Sequence, residues 1–394
     1  MSRGAVLALL AGIIGVASAA AQLPEIRGYY LNVPTWSDSN LAAAGGLGDL
    51  NRLRLMTEPR AGAFEVQIAY EQLLTWSQRP GPTAAGLFVD VVPSGGEWLD
   101  LQWTIEETDH VTWAHRFDRL AVSWAPAGWV TIGAGRQAIS WASTLSLTPA
   151  DPFVPFDPSD PFREYRAGVD ALRLQFFPGP LSDIDLVVRP ASYSSGQTLT
   201  ALGRGRTVWR SWELSAWLGA LHDEPAVALG VVGAIGPVAV RGEATLRQKG
   251  DSVVFRGAVG LDGRLDALGR DLYYGLEYQR DGFGASRSED LLASAQSPAF
   301  ARGELQVLGR DELVAQGSYQ AHPLWTIHLF VLTNLDDPST LVSPAVSYSV
   351  GNEAAARGGV FFGLGDDTPR STAPIPSEYG LVPLFVYASL SVFF

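Results

Sequence analysis

Apolar residues recur at every second position along much of the chain, in segments of about ten residues. In PVAVRGEATLR, Val238, Val240, Gly242, Ala244 and Leu246 make one face, and Ala239, Arg241, Glu243, Thr245 and Arg247 make the other. LYYGLEYQR sets Leu272, Tyr274, Leu276 and Tyr278 against Tyr273, Gly275, Glu277 and Gln279. AFEVQIAYE sets Phe64, Val66, Ile68 and Tyr70 against Glu65, Gln67 and Glu71, and LWTIHLFVL and LVSPAVSYSV repeat the scheme. Successive side chains leave a strand on opposite faces, so period two predicts strands. Alternating segments of this length, separated by turn residues, are the pattern of membrane-crossing β-strands. A soluble sandwich or propeller is the alternative, with its apolar face packed inward.

Eighteen strands can be placed, near 25–33, 49–58, 62–71, 115–125, 129–137, 163–177, 182–190, 199–208, 210–220, 225–234, 237–247, 252–262, 269–280, 311–320, 323–333, 340–350, 353–364 and 382–394. The hairpin 199–208/210–220 alternates least clearly, and without it the count is sixteen. With the first strand rising from the periplasm, the short turns at Pro59, Pro126, Pro178 and Gly236 all fall on one side. The longer segments 72–114, 138–162, 281–310 and 365–381 fall on the other, as in an even-stranded transmembrane barrel. Tyr29, Trp124, Trp129, Trp325 and Phe362 lie near strand ends, where aromatic girdles meet the membrane interfaces. The expected fold is therefore all-β: one antiparallel transmembrane β-barrel domain over 22–394.

The two ends of the chain add to this. Residues 1–21 read as a secretory signal peptide: Arg3 near the start, an uncharged run, then Ala19-Ala20-Ala21 before Gln22. No other run approaches the ~20 apolar residues of a membrane helix. The last twelve residues, PLFVYASLSVFF, carry an alternating apolar face (Leu384, Val386, Ala388, Leu390, Val392, Phe394) up to the final carboxylate. YASLSVFF resembles the C-terminal signal of Gram-negative outer-membrane β-barrels of the porin class. That resemblance implies a closing strand recognised by the barrel-assembly machinery through Phe394, Val392 and Leu390, export through the Sec pathway, and a final location in outer-membrane lipid. It covers the last strand closely and the remainder of the chain by pattern only.

A barrel of sixteen to eighteen strands encloses an aqueous lumen. If the apolar faces meet lipid, Arg52, Arg54, Glu65, Glu71, Arg119, Arg189, Arg241, Glu243, Arg247, Arg256 and Glu277 point inward as candidates for pore lining and selectivity. A wet lumen tolerates polar side chains of any kind, so the list is compatible with a plain water-filled interior. The sharper expectation is a transverse field, arginines on the wall facing carboxylates on an inward-folded loop, since clustered charge selects ions. The candidate loop is 138–162, within GRQAISWASTLSLTPADPFVPFDPSDPFREYR, with Trp141, Asp151, Asp157, Asp160 and Glu164 as its constriction residues. Porins that this class resembles often fold one such loop into the barrel; an ordinary rim loop is the alternative.

Other chemistries find little support. The formal charge of −13 disfavours nucleic acid, which needs a basic face. Cysteine is absent, which removes disulfides and thiolate chemistry. His110, His115, His222, His322 and His328 show no metal spacing, the D-x-D-x-D-G calcium loop is missing, and neither a G-x-S-x-G elbow nor a phosphate loop occurs. No enzyme, metal or cofactor is expected. The leading function is passive diffusion of small hydrophilic solutes. The alternatives are a selective transporter or exporter of an anionic or hydrophobic ligand, and a structural or adhesive barrel. The solute, and whether the barrel forms a homo-oligomer, are not legible in the sequence.

Overall fold

The computed structural model describes residues 25–40, 43–80, 96–153, 162, 165–193 and 195–394. The expected signal peptide, and Asp157, Asp160 and Glu164 of the proline-rich loop, lie outside the described residues.

Eighteen antiparallel strands form a closed barrel. They run from Arg27–Ser37 to Phe385–Phe393, and each pairs with its sequence neighbours. The first and last strands pair with each other, Tyr29 opposite Phe393 and Ser37 opposite Phe385, so no barrel edge remains. Closure matters because lipid offers no partner to an unpaired backbone N–H or C=O. The hairpin that alternates least clearly is present as Gly196–Trp209 and Trp212–Leu221. The strands extend further toward the long-loop end than the alternation marks: 62–71 is Phe64–Ser77, and 115–125 is Val111–Ala127. Those outer extensions carry mixed residues on both faces because they no longer divide lipid from lumen.

Turns at one end are short, such as 180–181, 236–237 and 323–324, whereas 78–110, 138–168, 282–310 and 365–384 all emerge at the other. A row of aromatics marks the short-turn end. Phe64 stacks on Trp124, Trp129 on Phe176, and Trp325 lies 4.6 Å from Tyr348, centroid to centroid. Tyr29 differs from expectation. It points into the barrel, between Tyr165 and Phe393, because the first strand's inner face runs Tyr29, Leu31, Val33.

The outward face is apolar for most of the circumference: Ile184, Leu186, Leu218, Leu229, Leu246, Val259, Leu276, Ile327 and Leu329 are all exposed. In a soluble protein this belt would be a severe aggregation liability; against acyl chains it is the favourable surface. The first two strands depart from the pattern. Asn32, Asp49 and Asn51 share the outward phase and hydrogen-bond one another at 2.8–3.0 Å.

Candidate functional site

The inner wall is built from cross-strand charge pairs set by register. Arg256 lies opposite Asp281 and binds both its oxygens, at 2.9 and 2.7 Å. Arg173 pairs with Asp185 at 2.6 Å, Arg204 and Arg206 converge on Asp183, and Arg241 meets Asp262 at 2.8 Å. Arg247 pairs with Glu304 of the loop 282–310 and with Glu224 at 3.4 Å. Glu65 binds Arg60 at the short-turn end. Arg189 is buried on the inner face of its strand. The turn residue His222 hydrogen-bonds Thr198 at 3.0 Å; burial, with Arg189, Arg247 and Arg302 nearby, holds its imidazole far below the usual value and therefore uncharged.

One network spans three adjacent strands. Arg54 bonds Glu71 and, at 2.7 Å, Asp118, and Glu71 also binds Arg116. Asp118 accepts from Arg119 at 2.6 Å and from the backbone N–H of Gly168 at 3.1 Å. Arg116 and Asp118 were not expected on the inner face beside Arg119. A bulge explains them: Ala69 faces Arg119 but Tyr70 faces Phe117, so Asp118 is an extra residue and the phase of the strand flips there.

The loop that follows Val130–Gln137 reaches across this wall. Its backbone amides are held by two wall carboxylates. Glu243 accepts from Ser143, Thr144 and Ala150 at 2.6, 3.2 and 2.9 Å. Glu277 accepts from Leu145, Ser146 and Leu147 at 2.6, 2.7 and 3.1 Å. The sequence permits this because the wall is small where the loop lies. Ala226 and Ala228 belong to the cluster under Trp141 and Phe153, and a methyl group at Gly230 would sit 2.2 Å from the Ser143 hydroxyl. Trp141 donates its indole N–H to Asp185 at 3.0 Å and meets Phe153 edge-on.

Asp151 does not face a wall arginine. It is buried within the loop, accepts from Ser140 at 2.8 Å, and pairs with Arg166 of the same loop at 2.8 Å. Over residues 143–150 wall carboxylates accept from loop amides, the opposite of the polarity expected across the gap. At the far end of the loop, Phe162 packs edge-on against Tyr387, and its carbonyl accepts from Arg52 at 3.1 Å. Leu147 and Phe162 join Val307 and Tyr379 of two other outer loops on an apolar part of the wall that includes Leu31, Leu332 and Phe385.

Recesses open on the inner wall among the described residues. One of about 260 Å³ is lined by Tyr273, Gln316, Ser318, His328, Ser343 and Arg357. Another, about 470 Å³, is lined by Glu65, Gln67, Ser123, Thr131, Arg173 and Gln175 at the short-turn end. Phe394 stands half exposed at the short-turn end, with its backbone paired to Gly28 at 2.7 and 3.0 Å; Leu390 and Val392 are exposed on the outward face.

No family model matches the chain, and no curated protein matches its sequence. Solved structures do match. A BenF-like porin from Pseudomonas fluorescens Pf-5 superposes with a TM-score of 0.55 at 9% identity, over 94% of this chain and 98% of that one. Pseudomonas aeruginosa OprD gives 0.55 at 10% identity, over 96% and 97%. Acinetobacter baumannii OccAB1 gives 0.54 at 9%, over 94% and 96%. The chain has the porin fold. At these identities the likeness concerns the backbone alone, and the charge pairs above belong to this chain's own sequence.

Proposed function

We propose that the protein is an outer-membrane channel for passive diffusion of small hydrophilic solutes. The observation that carries this reading is the closed eighteen-strand barrel, charged within and apolar without. Eighteen strands enclose more space than wall side chains fill, and recesses of about 260 and 470 Å³ lie on the inner wall. Residues 138–162 act as the constriction in this reading, anchored through Glu243 and Glu277. The remaining proposals follow from the sequence: removal of residues 1–21, a single barrel domain after them, and assembly guided by Phe394.

A selective channel is the better-supported version, in preference to a wide sieve or an adhesive barrel. Outer connections that carry Ala43, Leu147, Phe162, Val307 and Tyr379 meet in one apolar cluster with the wall, which favours a narrowed lumen over an open sieve. The test is single-channel recording with folded protein in planar bilayers, with reversal potentials in a salt gradient. Discrete ohmic steps are expected. Silent bilayers from protein that is folded by heat-modifiability on gels would overturn the proposal.

A further inference from the structure

At the outer mouth three connections meet on two carboxyl groups. Glu378, in the loop 365–384, accepts the backbone N–H groups of Leu308 and Gly309 from the loop 282–310, at 2.5 and 2.8 Å, and the side-chain amide of Asn334 at 2.8 Å. Its own N–H donates to Asp337 in the turn 335–338 at 2.6 Å. The next residue, Tyr379, donates its N–H to Ser339 and its hydroxyl to Oε2 of Glu312, both at 3.2 Å.

Glu312 is 0% exposed, at the outer end of its strand. A methyl group at Gly309 would lie 2.2 Å from Glu312 Oε1 and 2.4 Å from Asn334 Nδ2. A larger residue there would displace both groups, and the two carboxyls converge on this glycine. Glu312 Oε1 is buried and meets no N–H or O–H donor, with the Glu378 carboxyl bound to the N–H of that same glycine, so the pair favours one proton, because two ionised carboxylates at close quarters repel. The charged groups around the pair do not relieve this. Asp336 and Asp337 of the turn and Asp311 beside Glu312 are acidic, and Arg310 is committed to Asp311 and Asp336 at 2.9 and 3.1 Å.

We propose that the Glu312–Glu378 pair is a proton-dependent latch, which ties the loops 282–310, 335–338 and 365–384 together over the outer mouth while the pair shares a proton and frees them when that proton is lost. Burial beneath the loops pushes the carboxyls of Glu378 and Asp337 above the usual carboxylate range. A raised value means that the closed loops favour the protonated form. Their stabilisation is complete in acid and falls as pH rises through that value. The latch does not depend on the channel reading, since it concerns loop closure whatever the lumen carries.

The chain has no cysteine, so one introduced thiol reports on one place. Ala373, 2% exposed in the loop 365–384, is replaced by cysteine, with Ser371→Cys as an exposed reference on the same loop. The labelling ratio of the two sites in folded protein is expected to rise several-fold from mildly acidic to alkaline pH. In the Glu312→Gln background an amide N–H replaces the shared proton, and the ratio is expected to stay low throughout. Glu378→Gln instead turns an amide NH2 group toward the donors of Leu308, Gly309 or Asn334, so its ratio is expected to be high at every pH, and it decides the matter if Glu312→Gln does not fold. A ratio independent of pH in the parent, or one that rises equally in both glutamine variants, overturns the latch. Labelling needs no solute flux, so silent bilayers with a working latch would overturn the channel reading alone.

Discussion

The carboxylate of Glu277 accepts the backbone N–H of Ser146 at 2.7 Å, although Glu277 sits seven strands round the barrel from the loop that carries Ser146. With the bonds to Leu145 and Leu147, one side chain gathers three consecutive amides. Hydrogen bonds to a charged group contribute about 1.5–3 kcal/mol each at most, and are not additive. Glu277→Gln keeps one acceptor oxygen and loses the charge, so roughly 1–3 kcal/mol of loop anchoring should go. The expected result is a larger and noisier unitary conductance, increased again in Glu243→Gln/Glu277→Gln. Unchanged conductance in the double variant would mean that the loop does not bound the route.

The neighbouring position tests the lipid face. Leu276 is 41% exposed and Glu277 is 3% exposed, one residue apart on a strand whose phase alternates cleanly. Leu276→Arg places a guanidinium against acyl chains and should destabilise the folded barrel by about 2–4 kcal/mol near mid-membrane. Thr131→Arg, on the recess at the short-turn end, should cost far less, because water reaches that recess. Reversible unfolding in lipid vesicles with denaturant measures both. Equal costs would reverse the inside-outside assignment.

Phe394 pairs through its backbone with Gly28, and its ring lies over that glycine with about half of its surface exposed. Its removal therefore sacrifices little packing in the finished barrel. Deletion of Phe394, or Phe394→Asp, is nevertheless expected to lower the amount of heat-modifiable barrel in cells and to leave unfolded chain in the periplasm. Refolding of the same variant into detergent in vitro should be close to normal. A defect of equal size in both assays would point to stability and away from recognition during assembly.

The strand count and the inside-outside phase were legible because lipid on one face and charge on the other impose period two on a strand. Glu243 and Glu277 could be picked as inward residues on that ground, but not as loop anchors: their partners are backbone amides, which leave no mark in a sequence. Asp151 was legible as a loop carboxylate. Its partner Arg166 lies fifteen residues on, beyond a proline-rich stretch whose path no periodicity reveals. Tyr29 was misplaced because an aromatic near a strand end reads the same whether it faces the girdle or the lumen. Arg116 and Asp118 were missed for a different reason. The alternation that placed Arg119 inward assigns even positions outward, and the extra residue of the bulge breaks that rule without any glycine or proline to announce it.

That bulge carries the last prediction. Asp118 is the carboxylate between Arg54 and Arg119, at 2.7 and 2.6 Å, and all three lie on the wall beside the loop that ends at Gly168. Asp118→Asn leaves two guanidinium groups with less compensation where water is partly excluded, and there each unit of charge acts through a lower dielectric than at the open mouth. Reversal potentials in a salt gradient should shift toward anion preference. Arg119→Gln should shift them the opposite way, because Asp118 then has one cation fewer. Both shifts should shrink as bulk salt rises, since the Debye length falls to about 3 Å at 1 M. Asp262→Asn, which removes the partner of the more exposed Arg241, should produce a smaller shift than Asp118→Asn. If the two aspartate variants shift the potential equally, selectivity is spread along the lumen and is not concentrated beside the loop.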